Sequence, residues 1–236
     1  MNKMTYRHEL KFLLMHTNYV VIKARIKEIL EKDLHVDSDG LYTVRSLYFD
    51  DYFNRAYNEK NMSILDRQKY RIRLYNNSDK VINLERKIKS NNYIFKEITS
   101  LTRSEVQTIL EQDYASLRKS PSRLKQLFYY ESISNVLRPR VIVDYEREPF
   151  VMYAGDVRIT FDLNIRAGME ALDIFNNKMA MVEVLEPNYL IMEVKYTNFL
   201  PTIIRDILPA QSGTYSSLSK YVLCCDKTLF KRKTSV

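Results

Sequence analysis

The chain has 236 residues, enough to bury the core of one large domain or two small ones, and its 45% apolar and 28% charged residues are ordinary for a globular protein. No run reaches the ~18 apolar residues that cross a bilayer and no signal-peptide pattern opens the chain, so no membrane segment and a cytoplasmic location are expected. The net charge of +8 points to an anionic partner: nucleic acid, a membrane surface or a phosphorylated molecule.

Period-2 segments dominate, separated by a few helices, with no repeat or linker, so residues 1–236 are expected to form a single domain. Tyr6 to Met15 reads as a strand and Asn18 to Lys32 as a helix with Val21, Ala24 and Ile29 on its apolar side. Leu41 to Phe49 is a strand and Asp51 to Lys60 a short helix. Lys69 to Tyr75 and Val81 to Lys89 make a hairpin, turned by Asn76-Asn77-Ser78-Asp79. A short strand follows at Tyr93 to Ile98. Thr102-Arg103-Ser104-Glu105 has capping-box spacing and starts a helix to about Leu117, and a second helix follows Pro121. Strands are expected at Pro139 to Arg147, Val157 to Asn164, Ala180 to Leu185 and Tyr189 to Tyr196, and helices from Pro201 to Leu208 and Ser216 to Cys225. About eight antiparallel strands with outer helices predict an α+β fold built on a closed or nearly closed β-barrel.

Several chemistries are excluded early. The four glycines (Gly40, Gly155, Gly168, Gly213) form neither GxGxxG nor GxxxxGK[ST], so any phosphate must be held by side chains. Cys224 and Cys225 are adjacent and read as reduced packing residues, and His8, His16 and His35 are too scattered for a zinc set.

In a strand, residues i, i+2 and i+4 share a face. Arg7, Glu9 and Lys11 align, as do Lys69, Arg71 and Arg73; Glu85, Lys87 and Lys89; Tyr145 and Arg147; Arg158, Thr160 and Asp162; and Glu193 and Lys195. One such face could simply be solvated. Repeated over most strands, and backed by apolar faces such as Ile72 and Leu74 or Val157, Ile159 and Phe161, it describes a barrel with a charged interior. The candidate lining is Arg7, Lys11, Lys69, Arg71, Arg73, Lys87, Arg147, Arg158, Lys195 and Lys220, against the acids Glu9, Glu85 and Glu193. Charges that deep need partners, and this cationic surplus suits a dense anion such as a triphosphate or polyphosphate.

The stretches RHELK (7–11), SLYFD (46–50), KYRIR (69–73), LERK (84–87), RP (138–139) with YER (145–147), RITFD (158–162), EVK (193–195) and SKY (219–221) run in order along the chain. Together they resemble the triphosphate tunnel metalloenzyme (CYTH-like) superfamily and, within it, the VTC-type polyphosphate polymerase domain. The resemblance implies an eight-stranded antiparallel tunnel, ATP bound by its triphosphate, and a divalent metal, Mn2+ or Mg2+, on an acidic residue. It implies phosphate contacts at Lys11, Arg71, Arg73, Lys87, Arg147, Arg158 and Lys220, and the main metal ligand at Glu193, with Glu9 and Glu85 as further acids. Arg71, Arg73, Lys87 and Arg158 are the expected catalytic cations. Arg7, Lys11, Lys69, Tyr145, Arg147, Lys195 and Lys220 complete the expected substrate-binding set. The hydrolase and cyclase branches begin with E-x-E-x-K; here Arg7 stands in place of the first acid, exchanging a metal ligand for a phosphate contact, which favours holding a long anion.

The expected function is therefore transfer of the γ-phosphate of ATP to a growing inorganic polyphosphate, releasing ADP. The rivals are a hydrolase of tripolyphosphate, thiamine triphosphate or nucleoside triphosphates on the same fold, and a non-catalytic polyphosphate- or nucleic-acid-binding module. Nucleic acid is not the expected partner: the 18 tyrosines fall on both strand faces and in helices, which reads as packing rather than as an open stacking surface. The chain reads as a free-standing, bacterial-type version of the domain, leaving room for a membrane-protein partner.

Overall fold

The computed structural model describes residues 8–33, 36, 40–91, 93–169, 172–197, 199–208, 214–215 and 218–233. Arg7, and the expected starts of the first strand at Tyr6 and the last helix at Ser216, lie outside them. The chain order is β1 (His8–Met15), α1 (His16–Lys27), β2 (Glu31–Lys32), β3 (Tyr42–Asp50), α2 (Arg55–Asn61), β4 (Arg67–Tyr75), β5 (Ser78–Ser90), β6 (Tyr93–Ser100), α3 (Arg103–Leu110), α4 (Arg123–Ser134), β7 (Arg138–Met152), β8 (Val157–Gly168), β9 (Met181–Glu183), β10 (Tyr189–Tyr196), α5 (Thr202–Ile207), β11 (Thr214–Tyr215) and α6 (Lys220–Lys233). The fold is α+β with antiparallel pairing, the class expected for a triphosphate tunnel. Contacts divide the chain into two compact units.

The first unit comprises residues 1–43, 145–165 and 185–218. Its strands hydrogen-bond in the order β11-β1-β10-β8-β7. One sheet face carries Phe12, Leu14, Phe150, Val157, Ile159, Phe161, Leu190, Met192 and Val194, which pack on Tyr19, Ile22 and Ile26 of α1 and Ile204 and Ile207 of α5. The buried stripe of α1 thus leaves out Val21, which is 52% exposed, and Ala24, while Ile29, just past the helix end, packs on the same core as expected. The helix also stops early: Leu30 N–H still reaches Ile26, but Glu31 and Lys32 leave to pair with Val151 and Phe150. A tertiary sheet contact here overrides a continuous helical pattern.

The second unit comprises residues 44–144, 166–184 and 219–236, with strand order β7-β3-β4-β5-β6. Leu47, Phe49, Tyr70, Ile72, Leu74, Ile82 and Leu84 cover one face and pack on Val106 and Ile109 of α3 and Leu124 and Phe128 of α4. Period 2 then places Lys69, Arg71 and Arg73 on the opposite face. Asn76 and Asn77 both take positive φ (50° and 52°), the conformation of a tight two-residue hairpin turn, so β5 begins at Ser78. The capping box at Thr102 and Glu105 is present, but the helix it starts ends at Leu110 because Gln112 turns left-handed (φ 62°).

Asp50 anchors this unit. Its Oδ1 accepts the backbone N–H of Asp51 (3.0 Å) and Ala56 (2.8 Å), and its Oδ2 accepts the Tyr57 N–H (3.0 Å) and the Tyr221 hydroxyl (2.5 Å). One carboxylate, 1% exposed, therefore holds the start of α2 and the first turn of α6. Asp50→Ala leaves several buried donors unmet and should cost about 3 kcal/mol, read as a lower denaturant midpoint at unchanged slope.

Candidate functional site

The face of the first unit's sheet opposite its core collects charge by register. Glu9 pairs with Lys195 and Lys11 with Glu193 across β1 and β10, while Glu193 pairs with Thr160 and Lys195 with Arg158 across β10 and β8. Glu193, 5% exposed, lies 3.4 Å from Lys11 Nζ, 3.1 Å from Lys195 Nζ and 3.5 Å from Arg147 Nη2. Glu9 lies 3.1 Å from the same Lys11 Nζ. Two carboxylates thus meet at one cation. Thr160 Oγ1, on the residue paired with Glu193, is buried and has no hydrogen-bond partner.

Arg147 donates a two-pronged pair to Asp162, Nε to Oδ1 at 2.6 Å and Nη2 to Oδ2 at 2.8 Å, and its guanidinium lies 5.1 Å from the Tyr145 ring centre. Burial works against the Arg147 charge, but Asp162, Tyr145 and Glu193 hold its pKa well above the usual value. Arg158 is more open, its side chain 40% exposed, with Nη2 2.8 Å from Asp33 and 3.2 Å from the Tyr42 hydroxyl.

In the second unit, Arg71 is tied at three points. Its Nε and Nη2 reach Glu85 Oε2 at 2.7 and 2.5 Å, and its Nη1 donates to the Tyr48 hydroxyl at 2.8 Å. Arg73 Nε donates to Ser46 Oγ (3.0 Å), with Nη1 4.0 Å from Glu85. Lys96 Nζ approaches the other Glu85 oxygen at 3.4 Å. Glu85 is fully buried; burial alone would raise its pKa, but Arg71, Arg73 and Lys96 hold it well below the usual carboxylate range. At Tyr48 the order is the same: burial raises the pKa, and Arg71, Arg73 and Lys220 bring it below the ordinary phenol value. Burial, with Arg71 and Arg73, lowers the Lys96 ammonium to about 8 against the pull of Glu85. Lys69 Nζ lies 3.4 Å from Ser219 Oγ and 4.7 Å from the Tyr221 ring centre, and Tyr221 stacks on Tyr48 at 5.1 Å. Lys220 is buried and Lys87 half-buried.

Each unit thus carries a sheet face on which cations gather around a few buried acids. The VTC domain family model matches residues 6–229. The chain belongs to the VTC domain family. No curated protein matches its sequence. Among solved structures, HpAC1 from Hippeastrum, named as a candidate adenylyl cyclase and described as having a dominant triphosphatase activity, is similar at 11% identity. That match has a TM-score of 0.55 and covers 95% of this chain and 97% of that one. The PH1819 protein from Pyrococcus horikoshii OT3 is similar at 13% identity and a TM-score of 0.50, covering 94% and 99% of the two chains. At such identities these likenesses speak for the fold. Membership of the VTC family supports chemistry directed at polyphosphate or triphosphates.

Within this VTC domain, Glu9, Lys11, Tyr145, Arg147, Arg158, Glu193 and Lys195 fall in the first unit and Lys69, Arg71, Arg73, Glu85, Lys87 and Lys220 in the second. Strand periodicity missed Asp33, which reaches Arg158 from beyond β2, and the hydroxyls of Ser46 and Tyr48, which look apolar or neutral in sequence. It also missed Lys96, which lies inside the expected strand from Tyr93 to Ile98 and pairs with Lys87. Among the described residues no group of three or more His, Cys, Asp or Glu is placed to hold a metal ion. No described helix is long and apolar enough to cross a membrane.

Proposed function

We propose that this VTC domain is a polyphosphate polymerase. A terminal phosphate oxygen of an inorganic polyphosphate attacks the γ-phosphorus of ATP, the bond from that phosphorus to the bridging oxygen breaks, and ADP leaves. The observation that carries the reading is the β4–β5 pairing, which sets Arg71, Arg73, Lys69 and Lys87 on one face around a single buried acid, Glu85. Phosphoryl transfer needs positioning and charge neutralisation more than a protein nucleophile. Arg71, held by Glu85 and Tyr48, and Arg73, held by Ser46, present guanidinium forks to phosphoryl oxygens without reorganising. Lys87, Lys69 and the buried Lys220 add point charges. In the first unit Arg158, Arg147, Lys11, Lys195 and Tyr145 bind phosphate oxygens in the same way, and Arg7 joins them on the sequence motif.

The donor set fits a divalent ion at Glu193 and Glu9. Their carboxylates already converge on one cation, Lys11, and the Thr160 hydroxyl paired with Glu193 has an unused lone pair. Manganese or magnesium bound there would neutralise charge on phosphoryl oxygens. Glu85, whose two oxygens are taken by Arg71, Arg73 and Lys96, aims Arg71 in this reading rather than holding metal.

Pure protein incubated with ATP and manganese should yield ADP and a polymer that stains as polyphosphate on a gel. Free phosphate without polymer, with every divalent metal tried, would replace this reading by the hydrolase.

A further inference from the structure

Arg158 is held differently from its counterparts. Arg71 is tied through Nε, Nη1 and Nη2 to Glu85 and Tyr48, and Arg147 has Nε and Nη2 locked onto Asp162. The contacts of Arg158 run through one nitrogen: Nη2 lies 2.8 Å from Asp33 Oδ2 and donates to the Tyr42 hydroxyl at 3.2 Å. Among the described residues its Nε and Nη1 meet no hydrogen-bonding partner. The anchors are themselves fixed. β2 runs along β7, with Glu31 opposite Val151 and Lys32 opposite Phe150; the Asp33 N–H then donates to the Pro149 carbonyl (3.4 Å), and the Asp33 carbonyl accepts the Val36 N–H (3.4 Å). Asp33, 7% exposed, is thereby set against the strand that carries Tyr145 and Arg147. Tyr42 opens β3, so the chain from Asp33 to Tyr42 begins and ends on the same guanidinium nitrogen. Arg158 also stands opposite Lys195 in the β8–β10 register, where like charges repel and would turn an unheld guanidinium away.

We propose that Asp33 is a positioning residue: its buried carboxylate, with the Tyr42 hydroxyl, holds Arg158 by Nη2 so that Nε and Nη1 are presented to the phosphoryl oxygens of a bound triphosphate. The inference rests on the reading of Arg158 as a phosphate contact and adds what aims it. An arginine side chain loses much rotamer freedom when it is fixed in one geometry. A partner that fixes it before the substrate arrives leaves less to reorganise in the transition state. Because both anchors engage Nη2, they do not compete with a ligand for the other two nitrogens. Asp33 itself touches no substrate in this arrangement; it acts through Arg158.

The test is a double-mutant cycle on ADP release from ATP, with kcat and KM measured for wild type, Asp33→Ala, Asp33→Asn, Arg158→Ala and the double variant Asp33→Ala with Arg158→Ala. Each is assayed below its own melting temperature and referred to folded protein. Arg158→Ala should lose about 100-fold in kcat, as for a preorganised donor to transition-state charge. Asp33→Ala should lose about tenfold in kcat while KM for ATP changes little, because a misaimed group weakens the transition state more than the ground state. Asp33→Asn, which keeps an oxygen acceptor for Nη2, should recover most of that loss. The double variant should be no slower than Arg158→Ala alone, since Asp33 has nothing left to aim. An Asp33 that only stabilises the fold gives a lower melting temperature with kcat per folded protein unchanged, and that result overturns the inference. So does an equal Asp33→Ala loss with and without Arg158, a rise in KM alone, or near-normal turnover in Arg158→Ala. The polymer assay separates the two proposals. Polymer made by a protein whose Asp33 and Arg158 losses simply add keeps the polymerase and loses the positioning role. Free phosphate without polymer, with the two losses coupled, keeps the positioning role and loses the polymerase.

Discussion

Arg71→Ala and Arg73→Ala should each reduce turnover by about 100-fold or more while the protein stays folded. A preorganised donor to the charge that develops in a transition state is worth about that factor. The two variants should differ in stability. Arg71 supplies two contacts to the fully buried Glu85 and one to Tyr48, so its removal leaves Glu85 with only Lys96 at 3.4 Å and Arg73 at 4.0 Å among these cations. Stripping a partner from a buried carboxylate costs about 3 kcal/mol, so Arg71→Ala should melt lower. Arg73→Ala gives up the Ser46 hydrogen bond and a longer contact, and should melt close to wild type. The double variant Arg71→Ala with Glu85→Gln removes the orphaned charge and should recover stability without recovering turnover. That combination separates catalysis from folding. Near-normal turnover in both single variants would mean that this face of β4 does not meet the substrate.

The second large effect is expected at Glu193. It is held by Lys11, Lys195 and Arg147 and shares Lys11 with Glu9. If these contacts were a plain ion-pair network, Glu193→Gln would lower thermal stability and leave the metal requirement alone. As a metal ligand, Glu193 should instead govern the manganese concentration at half-maximal turnover. We expect that midpoint to rise at least tenfold and turnover at a fixed, limiting metal concentration to fall in proportion, with ATP still bound by the arginines and lysines. The loss of one negative charge among three cations also lowers the melting temperature, so the melting curve alone decides nothing. The metal titration decides: an unchanged midpoint removes Glu193 from the metal site and leaves it as a structural anion.

Much of this molecule was readable in one dimension because strands expose a period of 2. Ile72 and Leu74 against Arg71 and Arg73, or Ile159 and Phe161 against Arg158 and Thr160, separate a helix-covered face from a charged one without any knowledge of neighbours. The capping box at Thr102 and the Asn76-Asn77 turn were equally local, since each is closed by atoms three or fewer residues apart. The order of the motifs, from the β1 acid and lysine to the α6 lysine, is likewise one-dimensional, and it carries the family resemblance. What sequence could not decide was anything set by a distant partner. The α1 stripe of Tyr19, Ile22 and Ile26 replaced Val21 and Ala24 because the sheet beneath selects which side of a weakly amphipathic helix is buried. Likewise, the cations could be counted from sequence but not paired. Asp162 meets Arg147 from a neighbouring strand, Asp33 meets Arg158 across more than a hundred residues, and Glu85 gathers Arg71, Arg73 and Lys96 from two strands. Coulomb and hydrogen-bond energies depend on separations of a few ångströms, and only the register of paired strands sets those. Sequence by itself therefore determined which face is charged and which family the chain belongs to. Tertiary structure decided which acid each of those cations meets, because only strand register brings the two within a few ångströms.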